Sequence, residues 1–165
     1  MIDNEQYCRM TALLRRYPES VAALRGINRA LTALCYVLYP VLLLWRYSAG
    51  DARLARFVLV PGISFALVSI FRALYNAPRP YEQGIDALMQ KKTKGHSFPS
   101  RHVFSAFIIA MAWLAVSPGT GAALLTAGVL LALIRVLGGV HYPRDVLAGA
   151  ATGIAAGWIG FWLIP

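Results

Sequence analysis

The sequence predicts an all-α protein, a multi-pass transmembrane helix bundle of about five spans with an N-terminal interfacial amphipathic segment. Three observations lead there. Of 165 residues, 58% are hydrophobic and only 14% charged, against roughly 25% charged in a soluble domain, so the apolar excess faces something other than water. The charges are clustered: none falls between Ala30 and Trp45 (16 residues), Phe57 and Phe71 (15), His102 and Ile134 (33) or Val146 and Pro165 (20). A hydrocarbon core about 30 Å thick needs about 20 helical residues, fewer where flanking arginines snorkel. Finally, 16 Lys plus Arg against 7 Asp plus Glu give a net charge of +9, on a chain far too apolar to be a disordered basic protein.

Each element follows from this pattern. In residues 1–27, Leu13, Leu14, Val21 and Leu24 alternate with Arg9, Arg15, Arg16 and Arg25, with Pro18 interrupting. This predicts one or two short amphipathic helices on anionic headgroups. No cleavable leader pattern precedes the first span, which is expected to act as an uncleaved insertion signal. The spans are expected at about 28–47, 54–75, 100–116, 121–137 and 143–164, together one domain over residues 28–165. Ser117-Pro118-Gly119-Thr120-Gly121 has turn chemistry and divides the 33-residue run into two helices. Cys8 and Cys35 are expected to be free thiols acting as small apolar residues.

Alternation of five spans brings the end of the second, the start of the third, the end of the fourth and the start of the fifth to one membrane face. That face collects Arg72, Arg79, Ser100, His102, Arg135, His141 and Asp145, and all three histidines of the chain. Singly, each has a plain structural reading. Arg72 or Arg79 alone is an interface anchor, Ser100 an N-cap, Asp145 a complement to a helix dipole. Together they suit phosphoryl transfer. Arginine forks bind phosphate oxygens and helix N-termini bind anions. Of two imidazoles, one can attack while the other protonates the leaving oxygen.

What is missing narrows the chemistry. Of the seven acids, Asp145 alone belongs to this group, whereas a two-metal phosphatase needs several converging carboxylates. The expected mechanism therefore uses no metal and no cofactor. No GxxxxGKS/T or GxGxxG pattern occurs, and arginines at helix ends beside a bilayer argue against nucleic acid as a partner.

The residues that carry this chemistry fall in three blocks. They read Arg72-x6-Arg79-Pro80, Pro99-Ser100-Arg101-His102, and Ile134-Arg135-x5-His141-x3-Asp145. In this the chain resembles the type 2 phosphatidic acid phosphatase family of integral membrane lipid phosphatases, whose signatures are written K-x6-R-P, P-S-G-H and S-R-x5-H-x3-D. The resemblance implies that His141 is the nucleophile, oriented by Asp145, that His102 protonates the leaving group and activates water, and that Arg72, Arg79, Ser100, Arg101 and Arg135 bind phosphate. Three positions depart from the pattern. Arg72 stands for Lys, Arg101 for Gly, and Ile134 for Ser.

The expected partners are a lipid phosphate substrate and membrane lipids, and a homo-oligomer is compatible with the sequence. A polyprenyl diphosphate such as undecaprenyl diphosphate is favoured, because Lys91, Lys92, Lys94 and Arg101 are placed to hold a second phosphate. Phosphatidic acid, phosphatidylglycerophosphate and a polyprenyl phosphosugar stay open, as do a lipid phosphotransferase and a non-enzymatic anionic-lipid binding or transport protein. By face, 13 Lys and Arg lie on the site side and 3 on the other, which points the site to the cytoplasm. The family resemblance implies the opposite face.

Overall fold

The computed structural model describes residues 3–89 and 93–164, and among these the regular structure is helical throughout. The first helix, α1 (Asn4–Met10), begins at a capping box in which the Asp3 side chain accepts from the Gln6 amide at 2.8 Å. Helix α2 (Ala12–Arg16) follows. Helix α3 then runs without a break over Pro18–Ser48, so the expected start of a span near residue 28 is not a helix boundary. Pro18 is at the first helical position, where a missing N–H costs nothing, and it opens the helix instead of interrupting it.

The rest of the chain forms α4 (Leu54–Tyr75), a 3₁₀ turn (Pro80–Gln83), α5 (Arg101–Leu114), α6 (Pro118–Leu137), α7 (Pro143–Trp158) and a terminal π turn (Ile159–Leu163). Helices α3, α4, α6 and α7 are long and apolar enough to cross a membrane. Helix α5 has only 14 residues, about 21 Å at the α-helical rise, and is shorter than the expected 100–116. Its surroundings explain this: α5 packs against α3, α4, α6 and α7. Phe104, Ile108 and Met111 are buried there with Leu42, Phe57 and Leu131. A helix wrapped by protein needs neither full span length nor an apolar outer face.

Small residues set how closely α7 meets α5. A Cβ added at Gly149 would come within 2.6 Å of the Ser100 carbonyl oxygen, one at Gly153 within 2.8 Å of the Phe104 carbonyl oxygen, and one at Gly157 within 2.4 Å of Met111 Cβ. Three glycines at four-residue spacing form a seam on which the two backbones nearly touch.

The N-terminal helices meet protein as well as solvent. Tyr7 is 3% exposed; its hydroxyl donates to the Leu137 carbonyl at 2.8 Å and accepts from the Leu88 amide at 3.2 Å. Arg15 binds the Asp86 carboxylate at 2.7 Å, and Arg25 donates to the Leu88 carbonyl at 3.0 Å. Leu24 packs with Leu88, Met89, Ile134 and Val140. This contact braces residues 85–89 against the end of α6. Tyr7→Phe would leave the Leu88 amide and the Leu137 carbonyl without that partner. It is expected to cost about 1–2 kcal/mol, read as a lower unfolding midpoint in detergent; an unchanged midpoint would show that the hydroxyl bonds contribute nothing.

Candidate active site

The end of α4, the connection to α5 and the turn between α6 and α7 converge at one end of the bundle. Arg72 lies in the last turn of α4, which ends at Asn76 in the left-handed conformation (φ 41°). After α6, the chain doubles back: the Val140 and His141 amides both donate to the Arg135 carbonyl, at 3.1 and 3.3 Å. Gly139, at φ 68°, permits the reversal, and a Cβ there would lie 2.6 Å from Ala87 Cβ. The turn delivers His141 beside Arg135. Pro143 then opens α7, with Tyr142 as N-cap.

These elements enclose a cavity of about 350 Å³ whose wall includes Arg72, Arg79, Arg101, His102 and His141. Arg135, Ser100 and Asp145 are buried with 1%, 0% and 0% exposure. All eight residues expected from the sequence thus belong to this end of the bundle. His141 and Asp145 do not share a helix, because α7 begins only at Pro143. The cap turn brings them together instead. Asp145 Oδ2 accepts from the Tyr142 amide at 3.0 Å and lies 3.6 Å from His141 Nδ1. The Ser100 amide donates to the Asp145 carbonyl at 2.8 Å, tying the start of α5 to the start of α7.

The site is strongly cationic. Arg72, Arg79 and Arg135 are 6%, 7% and 1% exposed, and among the described residues no carboxylate forms an ion pair with any of them. Among the described residues, six buried side-chain polar atoms have no hydrogen-bond partner, and five belong here: Arg79 Nη1, Arg135 Nε, Ser100 Oγ, Asp145 Oδ1, and the hydroxyl of Ser69 on the cavity wall. Native proteins rarely leave buried donors unmatched. Two guanidinium donors, a hydroxyl and the amides that open α5 suit an anion rich in acceptors.

Burial pushes the His141 imidazole down to about 4 from its ordinary 6.5; nearby Asp145 opposes this, while Arg79 and Arg135 add to it. Burial therefore favours the neutral imidazole over the imidazolium. Unlike imidazolium, neutral imidazole keeps a lone pair for attack.

The three departures from the signature each have a structural consequence. Arg72 uses its fork on the backbone: Nη1 donates to the Ser97 carbonyl at 3.3 Å and to the Pro99 carbonyl, and Nη2 to the His96 carbonyl. It fastens the loop before α5 while lining the cavity, a task one ammonium would share out less well. Arg101 is the first residue of α5, in a helical conformation that needs no glycine, and its guanidinium lies over the Phe65 ring, 5.4 Å from the centroid. Ile134 is buried beside Leu24, Met89 and Val140, replacing a hydroxyl by packing.

Lys94 also lines the cavity, whereas Lys91 and Lys92 lie outside the described residues. Sequence reasoning missed Ser97. Its hydroxyl donates to Asp145 Oδ2 at 2.5 Å and lies 3.3 Å from His141 Nδ1. No spacing rule marks it, because its place depends on the path of the loop. His96, at φ 52°, also faces the cavity, with Nδ1 2.9 Å from the Arg72 carbonyl oxygen.

Comparisons with known proteins bear on the family and the fold. Undecaprenyl-diphosphatase BcrC of Bacillus subtilis (strain 168) is 28% identical over 144 residues, covering 85% of this chain and 75% of that protein. The crystal structure of Aquifex aeolicus LpxE is 26% identical with a TM-score of 0.72, over 94% of this chain and 92% of that one. A Bacillus subtilis structure, the first transmembrane PAP2 type phosphatidylglycerolphosphate phosphatase, shares the fold at 20% identity and a TM-score of 0.73, over 95% of this chain and 82% of that one. A family model described as PAP2 superfamily matches residues 53–165, which contain all three signature blocks, and the chain belongs to that superfamily.

Proposed function

We propose that this membrane lipid phosphatase removes the terminal phosphate of a polyprenyl diphosphate, with undecaprenyl diphosphate as the best fit, through a phosphohistidine at His141. The observation that carries the reading is a buried imidazole on the wall of a cavity it shares with Arg72 and Arg79, buried arginines that form no ion pair with a carboxylate among the described residues. Arg79, Arg135, Ser100 and the first amides of α5 bind the terminal phosphate; Arg72 holds the loop that shapes its seat. Nε2 of His141 attacks phosphorus, the bond to the bridging oxygen breaks, and His102 protonates the departing lipid phosphate. His102 then takes a proton from water, which attacks phosphorus and releases His141 and inorganic phosphate.

Arg101 and Lys94 on the cavity wall supply charge for a second phosphate, which supports a diphosphate over a monoester. The name of the Bacillus subtilis relative points the same way. The 13 to 3 distribution of Lys and Arg supports a site facing the cytoplasm. The test is phosphate release from a panel of undecaprenyl diphosphate, phosphatidic acid and phosphatidylglycerophosphate, with and without EDTA and with a lipid alcohol as acceptor. The diphosphate is expected to have the highest kcat/KM, with no response to EDTA. A strict need for a divalent metal would overturn the mechanism. Preference for a monoester would overturn the substrate, and net transfer to the alcohol would make the enzyme a phosphotransferase.

A further inference from the structure

We propose that Ser97 is a positioning residue, the link through which Asp145 orients His141; this rests on the phosphohistidine reading above. The carboxylate meets the imidazole only at ion-pair range, with Asp145 Oδ2 3.6 Å from His141 Nδ1, longer than a direct hydrogen bond. Ser97 Oγ lies between them, 2.5 Å from Oδ2 and 3.3 Å from Nδ1.

The direction of the chain follows from counting hydrogens. Asp145 Oδ2 also accepts from the Tyr142 amide at 3.0 Å, so it acts as an acceptor on both sides. A serine hydroxyl has one hydrogen, and it goes to the carboxylate. Toward His141 the same oxygen offers only lone pairs. Nδ1 must then be the protonated nitrogen, which leaves the lone pair on Nε2 for phosphorus. A carboxylate that orients an attacking histidine does so by fixing its tautomer. Here a serine hydroxyl relays that control.

The serine is held for the task. Its amide donates to the Ala77 carbonyl at 2.9 Å, and its carbonyl accepts from Arg72 at 3.3 Å. It is 0% exposed and is not part of the cavity wall, so it acts through His141 and not on substrate. During attack the Nε2–P bond forms and the P–O bond to the leaving group breaks, with the leaving oxygen taking its proton from His102. The Nδ1 proton stays on the ring and Ser97 keeps its own. The positive charge that develops on the imidazole is stabilised through the hydroxyl by Asp145.

The test compares the full-length protein with S97A, D145N, the double variant and H141A on undecaprenyl diphosphate, with active sites counted from the phosphoenzyme burst. S97A is expected to lower kcat about 10- to 100-fold with KM within about twofold, a smaller loss than the roughly 10⁴-fold of a fully misdirected tautomer. In the D145N background the same substitution is expected to change kcat by less than about twofold, since two links of one chain are not additive. Ser97→Cys, similar in volume with a weak S–H donor, is expected to follow the same pattern with a smaller loss. Full kcat in S97A, equal losses in both backgrounds, or a rise in KM at constant kcat would each overturn the relay. Phosphate release by H141A would overturn the phosphohistidine reading together with it, whereas a silent H141A beside a fully active S97A would overturn the relay alone.

Discussion

Replacing His141 with alanine is expected to lower phosphate release on the order of 10⁴-fold or more, while lipid binding persists on the arginines. The size of the loss follows from the site's composition. The His141 imidazole is buried beside the Asp145 carboxylate and the Arg79 and Arg135 guanidinium groups. His102, the second residue of α5, is proposed to act at the leaving oxygen. Rapid quenching after mixing with terminally labelled diphosphate should trap acid-labile phosphate on the parent protein and none on the variant. Turnover within tenfold of the parent would remove His141 as nucleophile. The pH profile carries the same signature. Protonation would occupy the attacking lone pair, but burial holds this pKa at about 4. The free base therefore persists as pH falls from 7, and the acid-side loss of kcat/KM due to this group is expected well below the ordinary histidine value of 6.5.

Arg135→Met should give the second large effect, with a sign that differs between activity and stability. Arg135 is 1% exposed, its Nε has no hydrogen-bond partner, and no described carboxylate pairs with it. A buried charge without a partner costs stability. Methionine fills a similar volume without that cost, so the unfolding midpoint is expected to rise by an amount corresponding to about 0.5–2 kcal/mol. Catalysis should fall on the order of 10²- to 10³-fold, the typical cost of removing one donor aimed at developing charge. Paired thermal melts and phosphate-release assays check both signs. Retained activity would show that the guanidinium does not serve the phosphoryl group, and a lower midpoint would show that it is compensated in the folded state.

The sequence and the structure agree most where the physics is local or one-dimensional. Runs without charge marked four of the spans, because removing charge from a helix facing lipid is a requirement that each segment meets alone. Alternation of the spans was enough to bring the cationic and basic groups to one end. Features that depend on how segments meet were not legible. Pro18 looked like an interruption, and only the path of the chain shows it opening α3. Helix α5 looked marginal for a span, and its enclosure by four neighbours explains its length. Arg72 and Ser97 are the clearest cases. Among the described residues between Asn76 and Ser100, Asn76 and His96 take positive φ without being glycine, a path that residue types do not announce. That path decides that Arg72 binds carbonyl groups and that Ser97 meets Asp145.

The glycine seam between α5 and α7 makes the bundle a lever. His102 belongs to one of these helices, and the turn that carries His141 leads directly into the other, so the spacing between the two imidazoles is set by how the two rods lie against each other. Gly157, at the end of α7 remote from the site, lies against Met111. A bulkier residue there would tilt the rods about the seam and misalign attack and protonation together, with no change in any group that handles phosphate. Tolerance to substitution along α7 is thus expected to follow the seam and not distance from the cavity.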